Sequence, residues 1–154
     1  MPSGGAGQTT DPTTSKAPTT SSSPTTSLDP CDLLSSSDAA SLGVTTSAVP
    51  RKRGSVKSCE WRVVKDSVAD SYLLGIALQN GLTLADADSE KQAERLDIGS
   101  HKAVRFLSTN PGICVVAIEL SAKSRVDVEA VGGDGQKLCA PALDAAKLVE
   151  PELP

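Results

Sequence analysis

The stretch CEWRV alternates: Cys59, Trp61 and Val63 fall on one side of an extended chain, Glu60 and Arg62 on the other. That period of two marks a half-buried strand. SYLLGIALQNG predicts a second strand, with Tyr72, Leu74, Ile76 and Leu78 on one face and a Gln-Asn-Gly turn to end it. Two shorter strands are predicted around Gly99-Ser100 in RLDIGSHKAVRFLSTNPG, closed by the Asn-Pro-Gly turn at 110 to 112. ICVVAIEL is the most apolar strand, with Cys114, Val116, Ile118 and Leu120 inward and Ile113, Val115 and Ala117 covered from the other side. Apolar on both faces, it belongs in the centre of a sheet. RVDVEA is its hairpin partner: Val126, Val128 and Ala130 face the core and the charged positions between them form a wet face.

Helical patterns lie at both ends. Asp29 before Pro30 reads as an N-cap and first helical position, since proline lacks the amide hydrogen that would be orphaned there, and predicts a helical turn over 30 to 34. In SSSDAASLG, Ser35 and Asp38 resemble a capping box for a second short helix that Gly43 stops. After the turn VGGDG, Leu138, Ala142, Ala145, Ala146 and Val149 form an apolar stripe at helical spacing, ended by Pro151. Residues 85 to 95, ADADSEKQAER, predict a solvent-facing helix. Residues 50 to 54, PRKRG, read as a solvated basic loop, with a patch for an acidic partner or anionic lipid as the alternative. The pattern predicts an α+β domain over 28 to 154: a twisted, mostly antiparallel sheet, short N-terminal helices and a C-terminal helix packed mainly on one face. Trp61, Val63, Leu74, Ile76, Val116, Ile118, Leu138 and Ala142 form its expected core.

Residues 1 to 27 change the picture. Fourteen are Ser or Thr and four are Pro, with no Val, Ile, Leu or aromatic residue among them, so nothing offsets the entropy of ordering the backbone. They are expected to form a disordered spacer, either a stalk that holds the domain off a membrane or wall, or an interdomain linker. Aromatic residues are 2% of the chain, which leaves Val, Leu, Ile and Ala to build the core. A net charge of -4 argues against a nucleic-acid partner, because phosphate contact needs a basic field. No run of about 20 apolar residues spans a bilayer.

The four cysteines, Cys31, Cys59, Cys114 and Cys139, are even in number and widely spread, with no CxxC pair and one histidine in the chain. This pattern disfavours a structural zinc site and a thioredoxin-type redox site. Two structural disulfides are favoured over four buried thiols. Three connectivities are open; local logic prefers Cys31 with Cys59 and Cys114 with Cys139, each closing a loop of about 25 to 30 residues and contributing around 3 to 4 kcal/mol.

The catalytic inventory is sparse. His101 stands in an expected exposed turn beside Ser100, without the GxSxG elbow of a serine hydrolase. GGDG at 132 to 135 lacks the GK[ST] of a P-loop and reads as a turn. Asp86, Asp88 and Glu90 alternate as calcium ligands do, but without the glycine and terminal glutamate of an EF-hand. No catalytic residue, metal or cofactor is assigned.

DPCDLLSSSDAASLG, CEW, GICVVAIEL and GQKLCAPALDAAKLV, in that order, resemble an uncharacterised family of actinobacterial envelope lipoproteins, a domain of unknown function, over residues 28 to 154. The resemblance implies a lipid-anchored, extracytoplasmic protein with oxidised cysteines, no assigned activity, and a signal peptide and acylated cysteine upstream of the present sequence. The expected function is a non-enzymatic binding or accessory module of the cell envelope, its partner an unknown envelope protein. The alternatives are a carrier of a lipid or other apolar small molecule and, less favoured, a hydrolase using His101.

Overall fold

The computed structural model describes residues 28 to 154; the expected spacer at 1 to 27 lies outside them. Seven strands form one antiparallel sheet: β1 (Val49–Arg53), β2 (Val56–Val63), β3 (Tyr72–Asn80), β4 (Lys91–Ile98), β5 (His101–Leu107), β6 (Ile113–Ser121) and β7 (Ser124–Val131), ordered β1-β2-β3-β7-β6-β5-β4. Strand β6 is interior, as its two apolar faces require, although the middle place belongs to β7. The helices are α1 (Ser36–Ser41), α2 (Leu84–Asp88) and α3 (Gly135–Val149), with 3-10 turns at Pro30–Asp32, Val68–Asp70 and Glu150–Glu152.

Local chemistry sets the ends of these elements. Asp29 accepts from the Cys31 amide at 2.9 Å and Ser35 from the Asp38 amide at 3.1 Å, each satisfying a donor that its helical turn leaves free. Two residues, Gly99-Ser100, join β4 to β5. Gly99 has φ +58°, the left-handed first position of a type II′ turn, whose twist matches that of the strands.

The main core lies on the inner face of the sheet. There Cys59, Trp61, Leu74, Ile76, Val116, Ile118, Val126 and Val128 meet Leu33, Leu34 and Ala39 from the N-terminal turns and Leu138, Ala142, Ala145, Ala146 and Val149 from α3. Val63 is likewise fully buried, so all eight expected core residues are inside. Ala142, Ala145 and Ala146 of α3 have no exposed surface, so the helix sits close against β6 and β7. Cys31 is bonded to Cys59 and Cys114 to Cys139. The first bond ties the Pro30–Asp32 turn to β2 and the second ties α3 to β6.

Three expected elements differ. PRKRG is not a loop: Val49–Arg53 is an edge strand in register with β2, joined to it by Gly54-Ser55, with Gly54 at φ +64°. Proline is tolerated there because an edge strand leaves one side of its ladder unpaired. Residues 85 to 95 do not form one solvent-facing helix. α2 ends at Asp88, Ala87 is fully buried, and β4 starts at Lys91 with an irregular register between Lys91 and Glu94 where Gln92 has φ +53°. Helix propensity is worth only tenths of a kcal/mol per residue, and pairing with β5 satisfies the backbone while placing Leu96 and Ile98 against the core. Finally, the charged side of β7 is not wet: Arg125 and Asp127 are buried, and Arg125 reaches the start of α2.

Candidate functional site

The outer face of the sheet carries the chemistry, and its foundation is Arg125. Nε and Nη2 of the guanidinium donate to the two carboxylate oxygens of Asp127 at 2.8 and 3.2 Å, while Nη1 donates to the Thr83 carbonyl at 2.9 Å. The Phe106 ring lies under it, 5.7 Å from centroid to guanidinium carbon. Thr83 is the N-cap of α2, and it exchanges hydrogen bonds with Asp86: the Asp86 amide donates to the Thr83 hydroxyl and the Thr83 amide to the Asp86 carboxylate. A buried arginine thus fastens the start of α2 to the sheet. Ala87, Val104, Phe106, Val115 and Ala117 complete a small second core under the helix.

Burial raises the Asp127 carboxyl above its ordinary pKa, partly offset by Arg125, whereas the hydrogen bonds from Thr83 hold Asp86 below its own. Two positions along β7, Glu129 lies across Gly75, where a Cβ would stand 3.1 Å from its Cγ. Burial raises this carboxyl too, with further upward push from the charges of Asp127 and Glu60.

Between α2 and the β4–β5 corner this packing leaves a cleft of about 460 Å³, within the size range of small-molecule sites. Leu84, Ala85, Leu96, Ala103 and Val104 give it an apolar lining, and Asp88, Arg95, Asp97, Lys102 and Glu119 give it charges. Arg95 Nε donates to Asp88 at 3.0 Å, closing one wall, and this bond holds the Asp88 carboxyl below its ordinary pKa. Among the described residues Asp97, Lys102 and Glu119 form no ion pair within 4 Å. Opposed, uncommitted charges over an apolar floor suit a small polar ligand with both signs of charge.

His101 is not an exposed turn residue. It is the first residue of β5, and its side chain keeps only 14% of its surface. Nδ1 meets Glu150 at 2.7 Å and Nε2 meets the Pro154 carbonyl at 2.9 Å. The same Glu150 oxygen accepts from the Ser100 amide at 3.1 Å and the Ser100 hydroxyl at 3.3 Å. A serine-hydrolase relay needs the hydroxyl on the ring nitrogen remote from the acid; here that nitrogen holds a backbone carbonyl and the serine shares the carboxylate. The cluster ties the residues after α3 to the β4–β5 turn. Burial draws the imidazole pKa down, but hydrogen bonds to Glu150 and Pro154 and the Glu150 charge outweigh it, leaving a net rise. Glu150 is lowered by His101 and the Ser100 amide.

The other sequence candidates separate. Asp86 is committed to its cap, Asp88 to Arg95, and no group of three or more His, Cys, Asp or Glu residues among those described has metal-site geometry. Trp61 is 3% exposed at the margin of a second hollow of about 470 Å³ beside α1.

The family model described as "Protein of unknown function (DUF3558)" matches residues 2–152. The chain belongs to this family. No curated protein and no solved structure matches it. The two cystines of this DUF3558 chain are those of a protein oxidised outside the reducing cytosol. No described helix is long and apolar enough to cross a membrane. Sequence reasoning missed Arg125, Lys102 and Glu119 as site residues, because the RVDVEA alternation gives no sign that a five-residue helix, α2, will cover one end of the charged face.

Proposed function

We propose that this DUF3558 domain is an extracytoplasmic, lipid-anchored binding module of the actinobacterial cell envelope, without catalytic activity of its own, and that its ligand face is the cleft between α2 and the β4–β5 corner. The observation that carries this reading is the cleft itself: about 460 Å³ with an apolar lining, and Lys102 opposed to Asp97 and Glu119 without committed partners. Covering such solvated charges costs their hydration unless the ligand supplies counter-charges, and this favours a small polar or peptidic group over a wholly apolar cargo. The bonding of His101 to Glu150 and Pro154 supports a structural rather than a hydrolytic role for that residue.

Photo-cross-linking in cells that produce the protein naturally tests the assignment. A benzophenone amino acid at Ala85, on the cleft, is expected to capture a discrete envelope component, and one at Val68, 94% exposed and away from the cleft, is not. Adducts of the same identity from both positions, or none from Ala85, would remove the cleft as the ligand face.

A further inference from the structure

The β1–β2 hairpin has a use that the cleft does not explain. Residues 51 to 57 read RKRGSVK: four of the chain's 15 Lys and Arg residues in seven positions, with no acidic residue among them, in a protein of net charge -4. The ribbon displays them in two ways. Arg51 is turned to Glu60, 3.2 Å away, and Arg53 lies close enough to Glu129 to bear on its charge. Lys52 and Lys57 are different: they are directly opposite one another in the ladder, both exposed, and neither makes an ion pair among the described residues. Like charges in that position repel and weaken a strand pair, so the arrangement is stable only at a cost that a bridging anion would relieve.

Their placement points to the anion. Side chains alternate along a strand, so Lys57 and Cys59 share a face about 7 Å apart, and Lys52 and Pro50, their ladder partners, share it too. Cys59 is bonded on that face to Cys31. The chain before Leu28 therefore joins the domain beside the ribbon, on the side where the two lysines project. We infer that the Lys52–Lys57 pair is a docking surface for an anionic phospholipid bilayer, which lies on the same side as the domain's N-terminal attachment, whereas Arg51 and Arg53 project from the other face of the ribbon toward Glu60 and Glu129. The lysines sit over the lipid phosphates, and the cleft on the opposite face of the sheet is held away from the bilayer. The biological setting rests on the extracytoplasmic reading above; the charge chemistry does not.

Sedimentation of the whole chain with vesicles tests this. Pelleting is expected with phosphatidylglycerol-containing vesicles, is lost with pure phosphatidylcholine, and disappears at about 0.5 M salt as the field is screened. Each basic residue near an anionic surface is worth about fivefold in affinity, so K52E/K57E is expected to weaken binding by at least about 25-fold, and K52Q/K57Q by less, with an unchanged near-UV spectrum. Equal pelleting of wild type and K52E/K57E, pelleting on phosphatidylcholine alone, or retention on polyglutamate without vesicle binding each overturns the inference. Cleft adducts at Ala85 and vesicle pelleting are separate readouts, so failure of one is distinguishable from failure of the other.

Discussion

At the scale of single residues, two buried ionic arrangements fasten different elements: Arg125 with Asp127 holds the start of α2, and His101 with Glu150 holds the residues after α3. Arg125 and Asp127 are 5% and 6% exposed, and removing one member of such a pair strands the other charge away from water. Asp127→Ala is expected to cost about 3–5 kcal/mol in urea unfolding and to loosen α2, whereas the double substitution R125M/D127L recovers most of that loss. Recovery would separate the penalty of an unpaired charge from a net gain by the pair. The His101–Glu150 clasp responds to pH. Because the folded-state pKa of His101 lies above its ordinary 6.5, its stabilising contribution is present in full below that value and is lost as the pH rises through the folded one. Glu150 is lowered from 4.5, so its contribution is present above that value and lost as the pH falls through the folded one. The gap in urea midpoint between wild type and His101→Gln is therefore expected to be widest at about pH 5 to 6.5 and to shrink toward pH 9. A gap that stays constant over that range would show that the imidazole charge is not involved.

At the scale of elements, the disulfides decide how firmly the ends are held. The Cys114–Cys139 bond closes a loop with a separation of 25 residues and fixes α3, whose Pro141 forgoes one backbone hydrogen bond within the helix. Replacing both cysteines by serine is expected to lower stability by about 3–4 kcal/mol and to speed amide exchange first in α3; exchange rising equally throughout the sheet would contradict a local fastening. Those same elements show what a sequence can disclose. The strands CEWRV, SYLLGIALQNG and ICVVAIEL were legible because their alternation or apolarity reflects burial directly, and α3 because its stripe recurs at helical spacing. β1 and β4 were not, since both are edge strands with polar, charged sequences whose extended form is imposed by a neighbouring strand and a glycine turn. The same cause hid the cleft. Its charges come from β4, β5, β6 and α2, and no local pattern reports which charged residues a sheet will bring together.

At the scale of the whole molecule, the sheet separates two roles. Its inner face packs the N-terminal turns, α3 and both cystines; its outer face holds α2, the cleft and the buried carboxylates of Asp127 and Glu129. The hairpin at one edge adds a basic projection beside the point where the chain joins the domain, so the bilayer docking and the ligand cleft proposed above use different surfaces. All of this presumes oxidised cysteines, and that is open to direct measurement. Native protein from the cells that make it, unfolded without reductant and treated with an alkylating agent, should show no added mass, and its digest should contain the Cys31–Cys59 and Cys114–Cys139 peptide pairs. Four alkylated thiols per chain would contradict both the fastening of the fold and its extracytoplasmic setting.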